Sequence, residues 1–145
     1  MPIFGGLHED TLGFLLGLTT MVQRRKGERF YSEGDPAQSV LVVDSGKVGM
    51  YRRWKGEDRL IKTLQRGDCF GEVALIDLGP RHTTTVALDD SAALELTASD
   101  LYKLYERDPR QFAVLYMNMA REICRRLRDA DRRAFEAWMG GQTPG

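Results

Sequence analysis

The chain has 145 residues, 42% of them hydrophobic and 29% charged, which suits a single domain built around one core. Its 21 basic and 21 acidic side chains cancel, so bulk charge makes no case for nucleic acid or an anionic membrane as partner. Cys69 and Cys124 lie far apart and outside any C-x-x-C pair; this argues against a disulfide framework or a zinc site and fits a reducing cytoplasm.

Residues 8–19 read as a short helix, with Asp10 as N-cap and Leu12, Leu15, Leu16 and Leu18 on one face. The apolar run from Leu12 to Leu18 follows acidic residues, so it does not read as a signal peptide, and it is too short to span a membrane. From residue 20 to 97 the texture changes to short apolar or alternating runs broken by turn residues. Strands are expected at Met21–Arg24, Arg29–Tyr31, Val40–Asp44, Lys47–Arg53, Arg59–Gln65, Thr83–Leu88 and Ala92–Leu96. Asp44-Ser45-Gly46, between two β-rich runs, reads as a hairpin turn.

Residues 98–139 turn helical. Thr97 to Asp100 fits a capping box, and Asp108-Pro109 restarts a second helix. Phe112, Tyr116, Met119, Ile123, Leu127, Ala130, Ala134 and Trp138 then recur at steps of three and four, a continuous stripe that should stop at Gly140-Gly141 and leave residues 140–145 as a disordered tail. A helix of about thirty residues is about 45 Å long, more than the flank of a small domain, so part of the stripe needs another partner. Arg121, Arg125, Arg126, Arg128, Arg132 and Arg133 read as a solvated face balanced by Glu122, Asp129, Asp131 and Glu136. The expected fold is α+β: a jelly-roll-like β-roll of about eight strands with a short N-terminal helix and C-terminal helices, one of them long.

The stretch with the most chemistry is Gly67 to Ala87, GDCFGEVALIDLGPRHTTTVA. Gly71 and Glu72 open a short helical turn, whose first N–H groups at Val73 and Ala74 are free to face an anion. Gly71 allows close approach to the backbone. Arg81 supplies a planar fork for two phosphate oxygens. A carboxylate at Glu72 makes sense as the acceptor of a sugar hydroxyl beside that phosphate, or as a brace for Arg81. Two histidines and two cysteines without supporting spacing give no nucleophile, general base or metal set.

FGEVALIDLGPR followed by a Thr-rich run resembles the phosphate-binding cassette of cyclic nucleotide-binding domains, as in Crp/Fnr regulators and the regulatory subunit of protein kinase A. Gly27-Glu28, Glu33-Gly34-Asp35, Val40 to Val43, Ser45 to Val48, Tyr51, Gly67-Asp68 and the Ala87 to Leu96 strands extend the likeness over about residues 8–138. The resemblance implies one domain over residues 1–139, with the cassette at 70–84 and no catalysis. It implies Gly71 and Glu72 on the ribose, and Arg81, Val73, Ala74, His82 and Thr83 at the phosphate. His82 stands where the family has a small residue. It implies a base lid from the long helix at Leu127, Ala130 and Asp131, and a homodimer through that helix. The ligand is expected to be cAMP, with cGMP as the alternative, and no cofactor, metal, membrane or direct nucleic-acid contact is expected. Crp/Fnr regulators continue into a helix-turn-helix that this sequence lacks, so the chain reads as a regulatory module or as the sensor half of such a regulator. A degenerate module that keeps the fold only for dimerisation is a third reading.

Overall fold

The computed structural model describes residues 1–142. After a 3-10 turn at Pro2–Phe4 comes α1 (Glu9–Leu18), then β1 (Thr20–Arg24), β2 (Arg29–Tyr31), β3 (Ser39–Ser45), β4 (Val48–Trp54), β5 (Glu57–Leu64) and β6 (Cys69–Phe70). The chain continues through α2 (Glu72–Asp77), β7 (Thr84–Ala87), β8 (Ser91–Thr97), α3 (Ala98–Arg107) and α4 (Pro109–Gln142). The eight strands form two antiparallel four-stranded sheets, in the orders β1-β8-β3-β6 and β2-β7-β4-β5. This is the expected β-roll with helices at both ends.

β3 explains how the layers stack. Its run Val40-Leu41-Val42-Val43 is buried throughout, with alternate residues on opposite faces. Val40 and Val42 join Leu15, Leu75, Leu96, Leu101, Leu104, Leu115 and Met119 in a core between sheet and helices. Leu41 and Val43 join Val48, Met50, Leu64, Phe70 and Ala93 between the two sheets. Each fully buried side chain of this size contributes about 1.5–3 kcal/mol. Asn118 on α4 donates its amide to the carbonyls of Ile3 and Gly5, at 2.9 and 2.8 Å, which ties the N-terminus to the long helix.

Several expectations are corrected. Asp44-Ser45-Gly46 is no hairpin: β3 pairs with β6 and β8, whereas β4 pairs with β5 and β7, so this turn carries the chain from one sheet to the other. Gly46 sits there at φ +84° with no room for a Cβ against Ser91 and Asp90. The tight hairpin is β4–β5, where Lys55 (φ 51°) and Gly56 (φ 80°) are both left-handed and Trp54 faces Glu57, the primed turn that matches strand twist. His8, not Asp10, is the N-cap of α1, and Leu16 faces solvent. Cys69–Phe70, outside the expected strands, is a short strand on β3.

The capping box at Thr97 and Asp100 forms in both directions, and Asp108 caps α4 by accepting from the N–H groups of Arg110 and Gln111. The expected stop at Gly140-Gly141 does not occur, because α4 runs through Gln142. Glycine costs about 1 kcal/mol in a helix but does not forbid it, and this end projects into solvent with nothing to fold back upon. Residues 131–141 are all exposed. The remainder of the expected tail, 143–145, lies outside the described residues.

Candidate functional site

The turn Gly67-Asp68 delivers the chain onto β3: Gly67 N–H donates to the Val43 carbonyl at 2.9 Å, and Val43 N–H to the Asp68 carbonyl at 3.0 Å. Gly71 follows in the left-handed region at φ +87° and caps the six-residue α2. A Cβ at this position would run into Arg81 Nη1, and any L side chain would be strained at this positive φ. The far end of the loop is pinned too. Arg81 N–H donates to the Asp35 carbonyl at 2.9 Å, and Gly34 N–H to the Arg81 carbonyl at 2.8 Å.

Arg81 is 5% exposed and Glu72 is 0% exposed, so neither is a surface loop residue. The guanidinium stacks on the Tyr31 ring at 4.2 Å. Nη1 donates to the carbonyls of Ser39 (3.0 Å) and Gly71 (2.9 Å), and Nη2 donates to Ser39 Oγ (3.1 Å). Of five N–H protons, three are thereby used, and the buried Nε has no partner. Burial pulls the Arg81 pKa down from its ordinary value, opposed by Tyr31, Glu95, Glu72 and Asp35.

Glu72 does not brace Arg81. Its Oε1 pairs with Arg126 of α4, whose Nη2 also donates to the Cys69 carbonyl. Its Oε2 is buried without a partner, as is Arg126 Nε. Burial pushes the Glu72 carboxyl up, with Arg126 opposing. Arg126 therefore belongs to the site and not to the solvated face assumed for it. Its neighbours behave as expected: Arg125 pairs with Glu122, and Arg132 with Asp129 and Glu136.

A cleft of about 530 Å³ opens between the β4–β5 hairpin, the cassette and α4, within the usual size of small-molecule sites. Met50, Arg52, Ile61 and Lys62 line it from the sheet; Val73 and His82 line it from the cassette. Ile123, Arg126, Leu127, Asp129, Ala130 and Arg133 close it from the helix. Four cations thus face it against one lining acid. Of the three residues expected as a base lid, Leu127 and Ala130 line the cleft, whereas Asp131 is exposed and off the wall. One helical step of about 100° turns it away; Asp129 is the acid that lines the cleft. Val73 and His82 line the same cleft. Ala74 and Thr83 are buried away from the wall, Thr83 fully so, and Arg81 itself faces a second cavity of about 370 Å³ shared with Tyr31, Ser39, Asp35 and Glu95.

Sequence reasoning missed Ser39, Tyr31, Arg52, Lys62 and the pairing of Arg126. For Arg126 a signal existed: it flanks the Ile123–Leu127–Ala130 stripe at helical spacing. Ser39 and Tyr31 are brought to Arg81 only by the packing of β2 and β3.

These features define a β-roll with a cleft of small-molecule size, and residues 21–108 match the cyclic nucleotide-binding domain family. The chain belongs to that family, a binding module and not an enzyme. It is 34% identical to the cyclic AMP receptor protein of Thermus thermophilus over 134 residues, covering 90% of this chain and 59% of that protein. The crystal structure of the Thermus thermophilus catabolite activator protein superposes with a TM-score of 0.82 at 31% identity, over 94% of this chain and 63% of that one. A cAMP-dependent protein kinase regulatory subunit from Candida albicans is 35% identical over 79 residues, 54% of this chain and 17% of that protein. The chain thus spans about three fifths of the length of its Thermus relative. Among the described residues no helix is long and apolar enough to cross a membrane.

Proposed function

We propose that the cassette and the α4 cleft bind a cyclic nucleotide, cAMP ahead of cGMP, and that α4 transmits its occupancy. One observation carries this reading. Arg81 Nε and Glu72 Oε2 are buried, opposite in polarity and unpartnered, and Arg81 is bonded to the Gly71 carbonyl, one residue before Glu72. Orphaned buried polar atoms are costly unless a ligand satisfies them. An unused guanidinium edge fits two oxygens of a cyclic phosphate, and a carboxylate oxygen fits the adjoining ribose 2′-hydroxyl. His82 and the Val73 amide, on the cleft wall, are assigned to the phosphate surroundings, with Ala74 and Thr83 behind them. Leu127 and Ala130 offer apolar contact to the base, and Asp129 is an acceptor for its amino group. The Thermus relative, similar along 90% of this chain, is named for cyclic AMP, which supports cAMP.

Transmission follows from the shared carboxylate. Glu72 serves the ligand site and also anchors α4 through Arg126, so a hydroxyl arriving at Glu72 changes the helix anchor. The solvent-exposed end of α4, carrying Leu127 (59% exposed), Phe135 (61%) and Trp138 (60%), is assigned to a second copy of the chain. The reading places the protein in the cytoplasm, consistent with two free cysteines, as the sensor part of a Crp-like regulator. Titration calorimetry with cAMP, cGMP and 2′-deoxy-cAMP tests the ligand. The expected order is cAMP, then cGMP, with the deoxy analogue weakened about tenfold or more by the unpaired carboxylate. Absence of heat with every nucleotide would refute the reading.

A further inference from the structure

His82 is an imidazole on the cleft wall. It follows Arg81 directly, lines the cleft and remains accessible to solvent. Four cations line the same cleft, Arg52 on β4, Lys62 on β5, and Arg126 and Arg133 on α4, and of these Arg52 and Arg126 act on the imidazole. Asp129 on α4 lines the same cleft, while Asp77 at the end of α2 and Glu33 in the β2–β3 loop act on it from outside. Glu72 is sealed beneath Arg126.

Partial burial first, then Arg52 and Arg126, hold the His82 pKa below its ordinary value, with Asp77 and Glu33 acting in the opposite sense. A cyclic phosphodiester introduces a fixed negative charge at the one place that reverses this balance. It offsets the surrounding cations and gives a protonated imidazole a partner.

We propose that His82 couples ligand binding to proton uptake: the imidazole takes one proton from solvent as the phosphate enters, so affinity for a cyclic nucleotide rises as the medium becomes more acidic. This rests on the cyclic-nucleotide reading of the cleft. The sign follows from linkage. The bound state holds the proton more tightly, so the gain is complete below the pKa of the free protein and is lost as pH rises through that of the complex. One proton limits the effect to about tenfold in Kd per pH unit. Glu72 has the opposite signature, because its protonation would remove the sugar acceptor and weaken binding in acid.

The test is calorimetry with cAMP and cGMP at pH 6 and pH 8, in two buffers of different ionisation enthalpy, on the wild-type chain and on His82→Gln. The expectation is about tenfold tighter binding at pH 6, with proton uptake, and a flat, uptake-free profile for H82Q. Proton NMR gives a second readout. The chain has two histidines, and saturating ligand should raise the titration midpoint of His82. Binding that is tight but independent of pH, or an unchanged His82 midpoint, overturns the coupling and leaves the cyclic-nucleotide reading intact. No binding at either pH fails that reading instead.

Discussion

Arg81 keeps two N–H protons in reserve while three hold it to Ser39 and Gly71, so its position is set before any ligand arrives. Charge-assisted hydrogen bonds are worth about 1.5–3 kcal/mol each. Arg81→Ala should therefore weaken cAMP binding by about 100-fold or more, measured by competition with a fluorescent analogue. The two cysteines test burial at the same scale. Burial, then Glu72, pushes the Cys69 thiol up to about 12, whereas Cys124 is exposed. A thiol reagent at pH 8 should modify Cys124 within minutes and Cys69 only on unfolding; rapid modification of both would contradict the packing of β6. At this scale the sequence revealed the residue types but not their partners. Glu72 was legible as an acceptor, yet its ion pair with Arg126 joins residues 54 apart, and no local pattern encodes that distance.

At the scale of elements, α2 and α4 meet through that ion pair. Arg126→Met leaves Glu72 buried and uncompensated, which should cost about 3 kcal/mol at neutral pH in urea unfolding. The loss should shrink in acid. With its folded pKa raised above the unfolded value, Glu72 binds its proton more tightly in the native state, so stability rises as pH falls through the raised pKa. The double variant E72Q/R126M should recover most of the loss, since neither partner remains charged. The β4–β5 turn offers a local test. Lys55 is held at φ 51°, and Lys55→Asn should stabilise the chain by about 0.5 kcal/mol, read from the thermal midpoint. Seven of the eight strands were readable within two residues from alternation and turn residues, whereas the two-residue β6 was not. Pairing was not: Asp44-Ser45-Gly46 has hairpin chemistry, but β3 is apolar on both faces and must lie between helices and the second sheet, which sends β4 elsewhere.

The whole molecule is a double-layered roll with one helix longer than the roll can cover. The stripe on α4 was visible in the sequence, as was the excess of its length over a small domain's flank. What could not be read was where packing ends; Met119 is fully buried, whereas every residue from 131 to 141 is exposed. If a second copy covers that end, sedimentation velocity should give a dimer, and Phe135→Glu with Trp138→Glu should give a monomer with an unchanged circular dichroism spectrum. The proposed grip on the phosphate depends on the shape of the Arg81 side chain as well as its charge. Arg81→Lys keeps the cation and removes the fork. Titrated with cAMP beside the wild-type chain, this variant should remain folded and lose at least about 30-fold in affinity. Equal Kd values for the two proteins would contradict the claim that Arg81 grips the phosphate.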